Sequence, residues 1–231
     1  MRFSTLNLKR YKAILLDMNR TFVFDADRFE PTEDFFATYC RVGGSTLSPN
    51  AVTASVLASY AGFFRCYSKS EFDDCFPSLA ETVRTYSGAP VEEFRHIELV
   101  ITAHEVGTVP DWAAQAINTL ATSHALAVVS NVWSPSMHWN TEFARAGIAG
   151  AFRGLVFSSD LRSIKPSKRP FLEALRLVNQ SPEEVLFIGD SLTRDIIPAK
   201  ALGMSTCWVA PTGESAAADF QIATIAELAR Q

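Results

Sequence analysis

The sequence predicts an α/β protein with a Rossmann-like parallel sheet core and an inserted all-α cap domain. Two observations support this. Four short apolar runs alternate with amphipathic helical stretches, and continuous apolar runs of this length suit strands buried on both faces. Residues 25–106, in contrast, carry helical patterns without a convincing buried strand. Alternating strands and helices predict right-handed crossovers in an open sheet.

The predicted strands are apolar runs that end where polar residues begin. They are AILLD (13–17), ALAVVSN (125–131), GLVFSSD (154–160) and VLFIGDS (185–191), with a fifth, STCWVAP, after Gly203. Residues 110–124, 171–178 and 196–202 show helical periodicity between them. Pro110 suits the start of the first of these helices.

The insert is predicted to hold four helices, at residues 33–42, 49–65, 79–86 and 91–106. Ser48 followed by Pro49 is typical of a helix cap with proline in the first turn. We therefore predict a core of residues 1–24 and 107–231 and a cap of residues 25–106. Five cap aromatics are expected to pack in the cap core; the alternative, contact with substrate, stays open for one or two of them. They are Phe63, Phe64, Tyr67, Phe72 and Phe76.

Composition narrows the classes of function. The 231 residues carry a net charge of −4 without a basic run, so electrostatics do not favour a nucleic-acid partner. Apolar stretches are broken well before the 18 residues of a membrane span, and no signal peptide is recognised. The four cysteines lack a CxxC spacing. We expect a cytoplasmic protein without a membrane partner; no pattern specifies its oligomeric state.

Chemically active residues follow the predicted strands. Asp17, Ser130 and Asp190 end three of them, and Lys165 comes soon after another. In open α/β sheets, ligands bind beyond the carboxyl ends of the strands, so these side chains are expected to converge. A carboxylate with a pKa near ~4 is ionised at neutral pH and needs no base to act as a nucleophile. Mg²⁺ on Asp190 and the Lys165 ammonium would offset the repulsion between Asp17 and a phosphate.

The order and spacing of four motifs resemble the haloacid dehalogenase superfamily over nearly the whole chain. The motifs are Asp17-Met18-Asn19-Arg20-Thr21, Ser130-Asn131, Lys165-Pro166, and Gly189-Asp190-Ser191 followed by Asp195. The resemblance implies a hydrolase whose first aspartate forms a covalent intermediate, with the helical segment as a cap between the first and second motifs.

The resemblance also implies roles for individual residues. The catalytic positions are Asp17, Asn19 and Lys165. The groups that hold the transferring phosphate are Thr21, Ser130, Asn131 and Lys165. The Mg²⁺ ligands are Asp17, the Asn19 carbonyl and Asp190, with Asp195 binding the metal or orienting its shell.

Two residues depart from the family pattern. Phosphatases of the family usually carry a second aspartate where this chain has Asn19; that aspartate protonates the leaving group, which an amide cannot do. Arg20 stands where glycine is common. Its guanidinium either grips a carboxylate or phosphate of the substrate, or is a solvent-facing side chain that tolerates the turn.

Three functions remain open at this point. The first is a Mg²⁺-dependent phosphatase acting on a small phosphorylated molecule. The second is a hydrolase acting at carbon, such as a 2-haloacid dehalogenase, since a departing halide needs no proton. The third is a catalytically silent protein that retains a phosphate pocket. P-loop and dinucleotide-binding proteins are disfavoured because neither glycine-rich motif follows a strand.

Overall fold

A six-stranded parallel sheet forms the centre of the protein in this computed structural model, which describes residues 6–213 and 215–230. The strands are β1 (Ala13–Leu16), β2 (Ala125–Ser130), β3 (Phe152–Phe157), β4 (Val185–Gly189), β5 (Ser205–Val209) and β6 (Phe220–Ile222). Their order is β3-β2-β1-β4-β5-β6. The predicted α/β fold class is confirmed, with β1 at the centre between β2 and β4.

Nine α-helices flank or cover the sheet within the described residues. They are α1 (Phe35–Arg41), α2 (Pro49–Tyr67), α3 (Leu79–Tyr86), α4 (Phe94–Glu105), α5 (Asp111–Ala121), α6 (Ser136–Arg145), α7 (Ser158–Leu161), α8 (Lys168–Val178) and α9 (Ile197–Ala201). Short 3₁₀ turns add Leu8–Arg10, Ser70–Phe72, Val91–Glu93, Pro182–Glu184 and Ile225–Arg230, and a π-helical turn spans Leu192–Ile196.

Three predicted elements differ from the structure. Residues 158–160, expected to end the third strand, begin α7 instead, because the Arg162 N–H donates to the Ser158 carbonyl at 2.8 Å and closes a helical turn. The Ser158 hydroxyl bonds to both main-chain groups of Val132 at 2.7 and 2.8 Å. The helix expected from Val91 starts as a 3₁₀ turn. The helix expected at 196–202 follows the π-helical turn and covers only Ile197–Ala201. Strand β6 and helix α6 were not predicted.

Both faces of the sheet are buried, as continuous apolar strands require. Ile14 and Leu16 of β1 pack into one apolar cluster, and Ala13 and Leu15 pack into the cluster on the opposite face. A third cluster joins the four helices between β1 and α5. Its largest members are Phe35, Tyr39, Phe63 and Phe76, and Ile164 from beyond β3 completes it.

The chain enters and leaves this helical segment at one place. Phe24 and Thr108 form an antiparallel pair, with N–H···O distances of 2.9 and 2.8 Å. Gly107 permits the approach, since a Cβ there would lie 2.4 Å from the Phe24 carbonyl oxygen. We propose that this pair marks the border of a helical cap at residues 25–106. In the described part of the chain, none of the helices combines the length and apolar character needed to span a membrane.

Candidate active site

Asp17 lies at the carboxyl edge of the sheet, where three central strands end together. The Asp17 N–H extends the ladder of β1 by donating to the Ile188 carbonyl at 2.8 Å. Ser130 is the last residue of β2, and its hydroxyl donates to Asp17 Oδ1 at 3.2 Å. Asp190 directly follows β4, and its main-chain oxygen accepts the Trp208 Nε1–H at 2.7 Å. The parallel register therefore brings these side chains to one point.

A buried lysine links two of the carboxylates. Lys165 Nζ donates to Asp17 Oδ1 and to Asp195 Oδ1, at 2.6 Å in both cases. All three side chains are almost fully buried. Burial alone would lower the pKa of Lys165, but Asp17 and Asp195 outweigh that effect and raise it above its ordinary value. Lys165 is therefore a permanent positive charge beside Asp17.

Asn131 holds the main chain of Lys165. Its Oδ1 accepts the Lys165 N–H at 2.8 Å, and its Nδ2 donates to the Lys165 carbonyl at 3.1 Å. The same Nδ2 also lies 3.3 Å from the Tyr67 hydroxyl. The amide is thus engaged in orienting the lysine, although it also faces the cleft. Its predicted contact with a phosphate remains a prediction.

Asp17, Asp190 and Asp195 form an acidic cluster in which one oxygen of each lies within 4.8 Å of the others. Both carboxylate oxygens of Asp195 have protein partners: Oδ1 pairs with Lys165, and Oδ2 accepts the Ser191 N–H at 2.9 Å. Gly189 makes room for it, since a Cβ there would lie 2.6 Å from Asp195 Oδ2. Burial raises the pKa of Asp195, while Lys165 acts in the opposite direction.

The donor set of this cluster fits a hard divalent cation. Burial, followed by the charge of Asp17, raises the pKa of Asp190 to about 6, so its ionised form gains from a nearby cation. The available ligands are oxygens only, which is what Mg²⁺ selects. Asn19 offers a further oxygen, because in the described residues its main-chain carbonyl receives no hydrogen bond.

The residues after Asp17 make a tight turn. Arg20 adopts a left-handed conformation with φ of 60°, where glycine is usual, and its side chain is exposed. The Asn19 Nδ2 donates to Asp27 Oδ2 at 3.2 Å, while its buried Oδ1 has no partner among the described residues. Thr21 is fully buried and lines an adjacent cavity of about 430 Å³, which it shares with Arg20 and Asp190. Its predicted contact with a phosphate stays a prediction.

A cleft of about 520 Å³ opens above Asp17. It contains all the predicted site residues except Thr21. It also contains residues that motif analysis missed. Those residues are Asp27, Glu30, Tyr60, Glu105 and Arg194. Of the five aromatics expected in the helical segment's core, Phe64 and Tyr67 line the cleft, whereas Phe63 and Phe76 are buried in the third apolar cluster.

Arg194 links the main chain at Lys165 to the helical segment at Tyr67. Its guanidinium donates to the carbonyl oxygens of Lys165 and Tyr67, and it stacks 4.0 Å from the centre of the Tyr67 ring. Asp73 lies 3.6 Å away. The sequence contains one signal for Arg194, its place between Asp190 and Asp195, but nothing in the motif indicates that it reaches Tyr67.

Glu105 holds the loop that follows β2. Its carboxylate accepts the Trp133 N–H at 2.6 Å and the Ser134 N–H at 2.7 Å, together with the Ser134 hydroxyl. Burial, followed by the charge of Asp27, raises the pKa of Glu105 to about 7. Asp27 itself keeps contact with solvent through the cleft, yet the surrounding protein desolvates its carboxyl and raises its pKa to about 6. The cleft thus contains two easily protonated carboxyls beyond the acidic cluster.

Fold and site together define a class: a parallel α/β protein with a carboxylate–lysine centre at the carboxyl edge of its sheet. The family profile described as haloacid dehalogenase-like hydrolase matches residues 57–209, more than half of the chain. The chain therefore belongs to the haloacid dehalogenase-like hydrolase family, whose members are hydrolytic enzymes.

Comparisons with individual proteins are consistent with this family membership. The glyceraldehyde 3-phosphate phosphatase of Methanopyrus kandleri is 39% identical over 62 residues, 27% of this chain and 27% of that protein, so the match spans about a quarter of the relative's length. The magnesium-bound HAD-hydrolase YfnB of Bacillus subtilis superposes with a TM-score of 0.62 and 21% identity, covering 96% of this chain and 98% of that one. The L-2-haloacid dehalogenase of Xanthobacter autotrophicus gives 0.62 and 16%, covering 95% and 97%. The two structural likenesses, at 21% and 16% identity, show the fold alone.

Proposed function

We propose that this protein is a Mg²⁺-dependent phosphatase acting on a small phosphorylated molecule through an aspartyl-phosphate intermediate on Asp17. The observation that carries the proposal is the pair of Lys165 contacts, 2.6 Å to Asp17 and 2.6 Å to Asp195. A protonated lysine held against a buried carboxylate lowers the cost of bringing a second anion, the phosphate, to that carboxylate. The phosphatase named among the relatives supports the same choice.

The residues divide the reaction between them. The Asp17 carboxylate attacks phosphorus, a P–O bond to Asp17 forms, and the P–O bond to the leaving group breaks with its electrons on the departing oxygen. Lys165 and the Ser130 hydroxyl hold the phosphoryl oxygens during this exchange. Water then attacks the phosphorus of the intermediate, which releases phosphate and restores the carboxylate.

Asp17, Asp190 and the Asn19 carbonyl would hold the metal ion, with Asp195 orienting Lys165 beside them. When bound, Mg²⁺ would neutralise charge on the phosphate. The absence of an aspartate at Asn19 leaves the departing oxygen without the usual proton donor.

A second candidate is hydrolysis at carbon, as in a 2-haloacid dehalogenase. One observation favours it: Asn19 cannot donate a proton, and a halide leaving group needs none. The acidic cluster speaks against it, because Asp17 and Asp190 offer the oxygen ligands that Mg²⁺ selects, and displacement of a halide by a carboxylate needs no metal ion. A silent phosphate-binding protein is the third outcome of the test below.

The test compares wild type with Asp17→Asn on aryl and acyl phosphates and on 2-haloacids, with and without Mg²⁺. We expect phosphate release by wild type with Mg²⁺ and loss of activity in Asp17→Asn, because an amide is a poor nucleophile. Beryllium fluoride, a phosphoryl mimic, should bind at Asp17. Halide release without phosphate release would select the second candidate, and phosphate binding without turnover would select the third.

A further inference from the structure

The cleft above Asp17 has two chemically different parts. Its floor is the polar centre at the edge of the sheet. Its upper wall consists of aromatic rings from α2 and from the loop after β2, together with two acidic side chains from the segment after β1. The aromatic residues are Tyr60, Phe64, Tyr67 and Trp133, and the acidic residues are Asp27 and Glu30.

The aromatic wall is held in place by packing. The ring centres of Tyr60 and Trp133 lie 5.4 Å apart at 56°, and those of Tyr60 and Phe64 lie 6.4 Å apart. Trp133 stacks on Phe63 of the third apolar cluster, with ring centres 4.4 Å apart and planes 7° apart, so this packing fixes its position. Phe64 is 56% exposed despite its size, which leaves apolar surface uncovered at the mouth of the cleft.

The protein compensates the two carboxylates on this wall only in part: the charges of Arg20 and Arg28 act on Asp27, which also accepts a hydrogen bond from Asn19 Nδ2 at 3.2 Å. Among the described residues, neither Asp27 nor Glu30 forms a salt bridge. The nearby Arg28 is occupied by main-chain oxygens, including that of Ala103 at 2.6 Å. Burial, then the charges of Asp27 and Glu30, raises the pKa of Tyr60, which places both charges near the aromatic ring.

The charges that line the whole cleft also disfavour a second anionic group on the substrate. Six carboxylic side chains and three cationic ones line it in the part of the chain that the structure describes. A substrate phosphate adds further negative charge. Of the cationic side chains, Lys165 is committed to Asp17 and Asp195, and Arg194 to main-chain oxygens and Tyr67. The third, the exposed Arg20, acts on the charge of Asp27. In the described part of the chain, a second anionic group on a substrate would therefore face Asp27 and Glu30 with the Arg20 charge, already shared with Asp27, to offset the repulsion.

Building on the phosphatase function proposed above, we propose that the substrate is a phosphate monoester whose leaving group carries a positive charge, a phosphorylated amino alcohol. An ammonium group is attracted to the faces of aromatic rings and to carboxylates, and the upper wall offers both. The phosphate end is then bound at Lys165 and Ser130, and the ammonium end between Tyr60, Trp133 and Glu30.

This substrate class also fits the missing proton donor. When Asp17 displaces the amino alcohol, the electron pair of the broken P–O bond stays on the alcohol oxygen. A positive charge a few bonds away stabilises that developing negative charge. The alcohol therefore leaves more easily than a neutral alkanol would, at a site where Asn19 cannot protonate it.

The test uses two esters of the same shape, choline phosphate and 3,3-dimethylbutyl phosphate, in which carbon replaces the charged nitrogen. We expect wild type to prefer the cationic ester in kcat/KM by tenfold or more. Part of that preference is intrinsic to the ester, so the variants isolate the contribution of the protein. Glu30→Gln and Tyr60→Leu should each reduce the ratio by about three- to thirtyfold, in line with the strength of cation–π and charge contacts.

Matched controls separate these contacts from general effects. Tyr60→Phe keeps the ring and should keep the ratio. Glu92→Gln removes an equal charge from an exposed side chain that does not line the cleft, and should leave the ratio unchanged. Equal kcat/KM for the two esters, or a ratio that Glu30→Gln and Tyr60→Leu do not change, would overturn the substrate class. 4-Nitrophenyl phosphate distinguishes the two failures: its hydrolysis without a preference for the cation overturns only this inference, and its stability overturns the phosphatase function as well.

Discussion

Asn19 and Asp27 are joined by a hydrogen bond of 3.2 Å in which the amide Nδ2 donates to the carboxylate Oδ2. Because a carboxylate accepts and does not donate, the bond sets the orientation of the amide. Asn19 Oδ1 is the remaining atom, buried and without a donor among the described residues. Where family phosphatases have an acid, this chain thus has an amide oxygen that can accept a hydrogen bond but cannot supply a proton.

The first prediction concerns Asn19→Asp. The new carboxylate would lie about 3 Å from Asp27, and two carboxylates this close do not both stay ionised without cost, so they share a proton. The shared proton supplies the missing acid, and turnover of alkyl phosphates should rise by up to about 10²–10⁴-fold. Steady-state kinetics measure this, with Mg²⁺ affinity determined in parallel. The double variant with Asp27→Asn should gain less; equal gains would show that Asp27 plays no part.

The second prediction concerns the leaving group in the wild-type protein. Without a proton donor at Asn19, the rate should depend steeply on how well the departing oxygen carries negative charge. Aryl and acyl phosphates should react much faster than neutral alkyl phosphates, by about 10²–10⁴-fold, the usual worth of general acid catalysis. A plot of log kcat/KM against leaving-group pKa gives the slope. A flat plot would mean that another group protonates the leaving oxygen.

The third prediction concerns metal affinity. Asp190→Asn should weaken Mg²⁺ binding strongly in calorimetry, because an ionised oxygen donor is lost. The metal-free variant should be as stable as wild type or more stable, since burial and Asp17 already disfavour the Asp190 charge. Asp195→Asn is the contrasting variant: it removes the partner of buried Lys165 at 2.6 Å and should lower the Tm. Unchanged affinity in Asp190→Asn would remove Asp190 from the metal site.

The fourth prediction concerns Glu105 and pH. Its pKa is about 7 in the folded protein against an ordinary 4.5, so the folded state binds the extra proton. The protonated Glu105 carboxyl favours the folded state, and this contribution is complete below pH ~4.5. It is lost as the pH rises through about 7, which lowers the free energy of unfolding by up to about 3 kcal/mol. Between pH 5 and 8, the Tm of Glu105→Gln should fall less steeply than that of wild type. The exposed carboxyl of Glu183 provides the control, since Glu183→Gln should keep the wild-type slope. Parallel curves for Glu105→Gln would contradict the assignment.

The sequence predicted the sheet well because its strands are buried on both faces. Runs such as VLFIG are typical of a strand buried on both faces, and β4 lies within the predicted range. Strand β6 escaped prediction because it has three residues with Gln221 in the middle, at the edge of the sheet. Helix α6 escaped because only Trp139 and Phe143 are buried in it, too few to produce a clear period.

The sequence by itself determined the fold class, the family resemblance and the residues that the sheet topology must bring together, including Asp17, Ser130, Lys165 and Asp190. These follow from local patterns, since each residue is attached to the end of a strand or to the loop behind it. Only the tertiary structure decided what surrounds them. Asn131 is occupied by Lys165, 34 residues away, and Arg194 reaches Tyr67 across 127 residues. Such contacts depend on how the helical segment packs over the sheet, and side-chain packing between distant segments leaves no periodic signal in the sequence.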